Sequence, residues 1–225
     1  MANFLLEWDK AGEHFYETGV DHGVLFVMDD DGDYGDGVVW NGLTAISESP
    51  EGGEPTPLYA DNIKYLNLIS NEEFGATIEA YMWPEEFEEC DGIANAGGLK
   101  IGQQARAKFA LAYLTKVGND TEGDTYDEKL HVVYGCTAAP SSKDYATVNE
   151  TPEAMTFSWE ISTVPVDVEI DGVKYKPTAH VEITKSAAGE KWNAIYTELF
   201  GGEGESAKPT LLMPADIYAK LNAAG

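Results

Sequence analysis

The chain has 225 residues, 43% of them apolar, and its 40 acidic against 14 basic side chains give a net charge of −26. That length supports one sizeable core and is short for two domains. The charge excludes a grip on nucleic-acid phosphates or on an anionic membrane, since both need clustered Lys and Arg, and Arg106 is the only arginine. Mean hydropathy is −0.30, no apolar run approaches the ~20 residues of a bilayer span, and the opening MANFLLEWDKAGEHF lacks the basic start of a secretory signal, so cytosolic synthesis is expected.

In chain order, Val20 to Met28 and Val38 to Ser47 read as β-strands. Between them VMDDDGDYGDGV packs five aspartates and three glycines and reads as a hairpin turn. SESPEGGEPTP, from Ser47 to Pro57, reads as a long exposed loop, and strand character resumes over Leu58 to Ser70. FGATIEAYMW alternates with period two, placing Phe74, Ala76, Ile78, Ala80 and Met82 on one face. PEEFEECDG predicts a short helix stopped at Gly92, and IANAGGLKIG a small-residue loop. Ala107 to Val117 and Lys129 to Ala138 read as strands joined by the polar loop GNDTEGDTYDE. Met155 to Val164 turns Phe157, Trp159 and Ile161 inward, and Asp171-Gly172 suits the type I′ turn of a hairpin. A helix is expected over Glu190 to Phe200, with Trp192, Ile195, Tyr196 and Leu199 on one stripe, and a last one from about Pro214. The expected fold is a single, mainly antiparallel β domain over 1–225 with two or three short helices and long loops.

The chemistry-bearing residues point away from catalysis. Asp29, Asp31 and Asp33 fit the first positions of a calcium loop, but Tyr34 and Trp40 stand where that loop needs Gly and Glu, and strands rather than helices flank it. Those three aspartates are expected to attract divalent cations only weakly, with no specific metal. Paired carboxylates of a glycosidase could be imagined, but with so many acids any fold brings some together, and Glu79 and Glu160 read as exposed-face residues. No nucleophile elbow, zincin motif or phosphate-binding loop occurs. His14, His22, His131 and His180 are scattered, and His131 reads as a structural histidine within a strand. Cys90 and Cys136 are far apart and are expected to be reduced and partly buried. No catalytic residue, cofactor or cofactor-binding residue is predicted. Antiparallel edges and long loops leave self-association open, with Ser47 to Pro57 either ordered by a neighbouring copy or merely loose.

Several long blocks occur together and in order: WNGLTAISESPEG, PTPLYADN, EEFGATIEAYMWPEEFEECDG, IGQQAR, KLHVVYG, ETPEAMTFSWEISTVPV and, near the end, PTLLMPADIYAKL. In these the chain resembles the major tail protein of long-tailed bacteriophages, the tail-tube subunit, over roughly Val20 to Leu221. The resemblance implies a non-enzymatic virion protein with an antiparallel β-sandwich or half-barrel fold of the tail-tube type, made and assembled in the host bacterial cytoplasm. Its copies would form hexameric rings that stack into a tube, with an N-terminal arm (about 1–19), a long loop (about 47–62) and a C-terminal helical extension (about 187–225). Implied partners are further copies of the chain, other tail proteins such as the tape measure and the terminator, and DNA passing through an acidic lumen without specific binding; no membrane anchor is implied. Ring stacking is expected from Ser47, Glu51, Glu54, Thr56, Leu58, Tyr59 and Asn62, with Leu58 and Tyr59 as apolar anchors. The alternatives are another ring-forming tail part, a terminator or completion protein, and an acidic calcium- or carbohydrate-binding β-module.

Overall fold

The structure is a computed structural model that describes residues 6–148, 150, 154–202 and 208–223. The first five residues of the expected N-terminal arm and residues 203–207 and 224–225 of the C-terminal extension lie outside the described residues. The rest of the arm is short, because Phe15 already belongs to β1 (Phe15–Val27). Gly12 and His14 donate their N–H groups to the Asp120 carboxylate, which pins the arm at the far end of the sheet.

The acidic stretch is the turn between two paired strands, as its turn formers predict. β2 (Val38–Trp40) returns along β1 in the register Gly23↔Trp40 and Leu25↔Val38. The strand expected from Val38 to Ser47 does not run through. Gly42 takes φ 86°, a left-handed conformation that glycine adopts without strain, and β3 (Leu43–Glu48) leaves β1 to pair elsewhere. The loop expected over Ser47 to Pro57 is also replaced by strands: β4 (Glu51–Gly52), β5 (Pro55–Ala60), β6 (Ile63–Ile69) and β7 (Glu72–Glu73) build a hairpin on a narrow neck. β8 (Gly75–Ala80) pairs with β3 and buries Ala76, Ile78 and Ala80, as the alternation requires. Met82, read on the same face, is past the strand and exposed.

Helix α1 (Phe87–Cys90) turns Phe87 and Cys90 into the core. The small-residue loop after it is a hairpin of β9 (Ala94–Ala96) and β10 (Leu99–Ile101). β11 (Phe109–Asn119) and β12 (Gly123–Ala138) absorb most of the expected polar loop between them, because Asn119 closes a tight turn by accepting N–H groups from Thr121 and Glu122. β13 (Phe157–Thr163) buries Phe157, Trp159 and Ile161. β14 (Glu169–Ile170) and β15 (Val173–Lys174) flank Asp171 and Gly172, whose φ values of 50° and 76° suit the type I′ turn. β16 (His180–Thr184), unforeseen from the sequence, leads into α2 (Lys185–Ala188), a 3-10 turn (Gly189–Lys191), α3 (Trp192–Phe200) and finally α4 (Pro214–Leu221).

Eight strands form one antiparallel sheet in the order β2-β1-β11-β12-β13-β8-β3, with β16 beside β12. The two ends of that path, β2 and β3, are joined by the turn at Asn41 and Gly42, so the sheet curls over itself. Inside the curl, Trp40, Phe87, Trp159, Phe109, Leu111, Tyr113 and Val133 form one core. On the outer face Phe26, Ala112, Leu130 and Tyr134 meet Trp192, Ile195, Leu199 and Ile217 of the helices in a second core. Burial on both faces explains why Phe109 to Leu114 and Leu130 to Cys136 are continuously buried rather than alternating. The C-terminal helices thus pack on the outer face of the sheet rather than extending from it. A bulge divides β12: Gly135 takes φ 60°, and a Cβ there would lie 2.2 Å from the Val164 carbonyl oxygen. Before the bulge β12 pairs with β16, and after it with β13. No helix among the described residues is long and apolar enough to cross a membrane.

Candidate functional site

The feature that the fold does not consume is the hairpin of β5 and β6. Asp61 and Asn62 adopt φ 51° and 64° at its tip, the left-handed pair that a two-residue turn needs and that Asp and Asn tolerate. The register runs Pro55↔Ile69, Thr56↔Leu68, Leu58↔Leu66 and, after a bulge, Tyr59↔Lys64 and Ala60↔Ile63. Directly opposed residues share a face. Thr56, Leu58, Ala60, Ile63, Leu66 and Leu68 therefore line one side, and Pro55, Pro57, Tyr59, Tyr65 and Ile69 the other. Every one of these residues is exposed. On the first side Leu58, Ile63, Leu66 and Leu68 are 42, 66, 40 and 55% exposed. Together they leave about two whole apolar side chains in water, where full burial of one is worth ~1.5–3 kcal/mol. At ~3.3 Å per residue the strands reach about 20 Å from the neck.

The edges of this hairpin differ. Pro55 and Pro57 have no N–H, so they blunt the outer edge of β5 against a further strand, while β6 keeps its donors. At the neck Glu51 stands opposite Glu73, a like-charge pair that weakens the rung. The excursion starts and ends at one point, because Gly53 N–H donates to Ser70 Oγ at 3.1 Å.

The residues expected to mediate stacking are therefore distributed over this element rather than along a loop. Ser47 lies in the main sheet opposite Thr77. Glu51 forms the neck, Glu54 precedes β5, and Thr56 and Leu58 share one face of the hairpin while Tyr59 lies on the other. Asn62 is used by the turn itself. The sequence reading missed Ile63, Tyr65, Leu66, Leu68 and Ile69, the return strand that carries most of the exposed apolar surface. Their run of apolar residues was visible, but nothing local says that no core awaits it.

At the foot of the hairpin lies a polar cluster. Glu48 ends β3, just before the neck, and Phe74, just after it, packs on the His180 ring with centroids 4.9 Å apart. His131 lies between Tyr113 and His180 with all three rings nearly parallel, at 4.7 and 5.4 Å. Burial pushes both imidazoles below the ordinary histidine range, so both are neutral at pH 7. Glu17, Glu48 and Glu182 surround them, and Lys129 bonds Glu17 Oε2 at 2.6 Å. Among the described residues, Glu48, His131 and His180 are the three side chains whose ligand atoms gather closely enough to hold a metal ion.

Asp29, Asp31 and Asp33 do not gather in that way. The Asp29 carboxylate accepts the N–H groups of Asp31 and Asp33 at 3.0 and 2.9 Å, so it caps its own turn. Tyr34 anchors the turn to the body, its hydroxyl oxygen accepting Gly135 N–H at 3.1 Å. Cys90 and Cys136 are free and fully buried rather than partly so, and burial pushes the Cys90 thiol up to about 12. No protein-family model matches the chain, and no curated protein matches it.

Proposed function

We propose that the chain is a structural subunit that polymerises with copies of itself, in stacked rings of the long-tailed-phage tail-tube kind, into a conduit that DNA crosses without being gripped. The observation that carries this reading is the β5–β6 hairpin, an apolar, two-faced arm of about 20 Å that the described residues leave uncovered. An isolated two-stranded hairpin is marginal in water, and an apolar face of this kind is stabilised when a neighbour covers it. A curled antiparallel sheet supplies a rigid body for the arm, and the sequence blocks over Val20 to Leu221 resemble the tail-tube subunit. The charge of −26 suits a lumen that repels phosphates, and it sets copies against each other, so apolar burial and salt screening must drive assembly.

The test is negative-stain microscopy of the concentrated protein beside a variant in which Glu54–Ile69 is excised and Gly53 joined to Ser70. The full chain is expected to form extended tubes, favoured by raised ionic strength, and the excised variant to stay folded and unassembled. Isolated rings of the full chain would favour a terminator-like part, and a monomer stabilised by calcium or by a sugar would favour a binding module. Tubes formed equally by the excised variant would overturn the role given to the hairpin.

A further inference from the structure

The cluster at the foot of the hairpin has the donor set and spacing of a metal site. The Thr115 hydroxyl gives its one proton to Glu17 Oε1 at 2.5 Å, so its oxygen accepts from His131 Nε2 at 2.9 Å. The ring proton of His131 therefore sits on Nε2, and its Nδ1 accepts a hydrogen bond from His180 Nε2 at 3.2 Å, a proton that the neutral His180 ring carries on Nδ1 instead when Nε2 binds an ion. Glu48 Oε1 completes a triangle, 3.9 Å from each of those nitrogens. The point equidistant from the three atoms lies about 2.1 Å from each, within the range of Zn–N and Zn–O bonds. Second-shell partners are in place as well. The Thr115–Glu17 pair orients His131, and Tyr113 donates its hydroxyl to Glu48 Oε1 at 3.3 Å, the arrangement that fixes tautomer and ligand direction in metal centres.

We propose that Glu48, His131 and His180 bind a divalent transition-metal ion, zinc by its fit to a two-imidazole, one-carboxylate set. Glu182 Oε2, 4.0 Å from His131 Nδ1, or a water takes the fourth position. Three carboxylates against one lysine make the pocket attractive to a cation, and the half-exposed rim at Glu48 and Glu182 gives it a way in. The ion joins β3 to β12 and β16, which share no ladder with β3, and so braces the strand from which the hairpin departs. Binding is a property of the single subunit and does not depend on the assembly reading.

Isothermal titration of chelator-stripped protein with zinc chloride tests this, with the visible absorption of added Co2+ as a report on coordination. Expected are one saturable site per chain, tetrahedral Co2+ bands, and a Tm raised by about 5–10 °C at a hundredfold excess over Kd. Glu48→Gln and His180→Gln are each expected to weaken binding at least about tenfold, and the combined Asp29→Asn, Asp31→Asn, Asp33→Asn variant to leave it unchanged. Absence of saturable zinc binding, undiminished affinity in both E48Q and H180Q, or loss of binding in the triple aspartate variant would each overturn the assignment.

Discussion

Replacing Leu66 and Leu68 together by threonine keeps the β-preference of the hairpin and removes its apolar payload. The two side chains are 40 and 55% exposed, so a neighbour that covers them buries about one further leucine, worth ~1.5–3 kcal/mol. At 1.4 kcal/mol per tenfold, a loss near 2 kcal/mol weakens each contact by about 30-fold. Within the subunit neither side chain belongs to a core and their covering neighbours lie in the hairpin itself, and substitutions at such surface positions shift stability by only ~0.5 kcal/mol. The critical concentration for tube formation, read by pelleting and microscopy across a dilution series, is expected to rise by that factor while Tm stays in place. An unchanged critical concentration with an unchanged Tm would refute the argument that this face drives assembly.

Four further outcomes follow from named contacts. Ile195→Ala, in the fully buried second core, should cost about 2–5 kcal/mol in chemical denaturation; a loss below 1 would mean that the C-terminal helices do not stabilise the sheet. Asp91 is buried, bonding Lys143 Nζ at 2.6 Å and lying 3.4 Å from Arg106 Nη1, so Asp91→Ala should destabilise by roughly 3 kcal/mol by stranding two cations, whereas Asp30→Ala at the exposed turn should be silent. Because burial holds the folded pKa of His131 and His180 below the unfolded 6.5, the unfolded chain binds more protons between those values. Their contribution is present above 6.5 and lost as pH falls through the folded pKa. Glu17, Glu48, Glu182 and Lys129 face the pair, and the exposed His14, raised by its bond to Asp120, works weakly in the opposite direction. Metal-free Tm should therefore fall from pH 7 to pH 5, less steeply in His180→Gln; equal slopes would refute this. Finally, both buried thiols should resist a thiol reagent in the native state and react in denaturant, and fast native labelling of either would contradict the packing around Cys90 and Cys136.

Local pattern was enough wherever a segment's neighbours in space are also its neighbours in sequence. The turn at Asp171-Gly172, the alternation through β8, the stripe of α3 and the start of α4 at Pro214 all follow from dihedral preference and periodicity, and so does the mainly β class. The same logic made the acidic stretch a turn. Other features were decided only by tertiary structure. Nothing local distinguishes an apolar strand that enters a core from one that leaves it, so β6 looked like any other strand until its isolation from both cores was visible. Gly42 could not be assigned the break between β2 and β3 without knowing that those strands close opposite ends of one sheet. His131 and His180 lie 49 residues apart and Glu48 is farther still along the chain, so their meeting depends on β16 pairing with β12 while the curled sheet brings β3 across. Sequence determines what each residue prefers over a few neighbours, whereas a site made of three strands exists only once long-range pairing has fixed which side chains share a face.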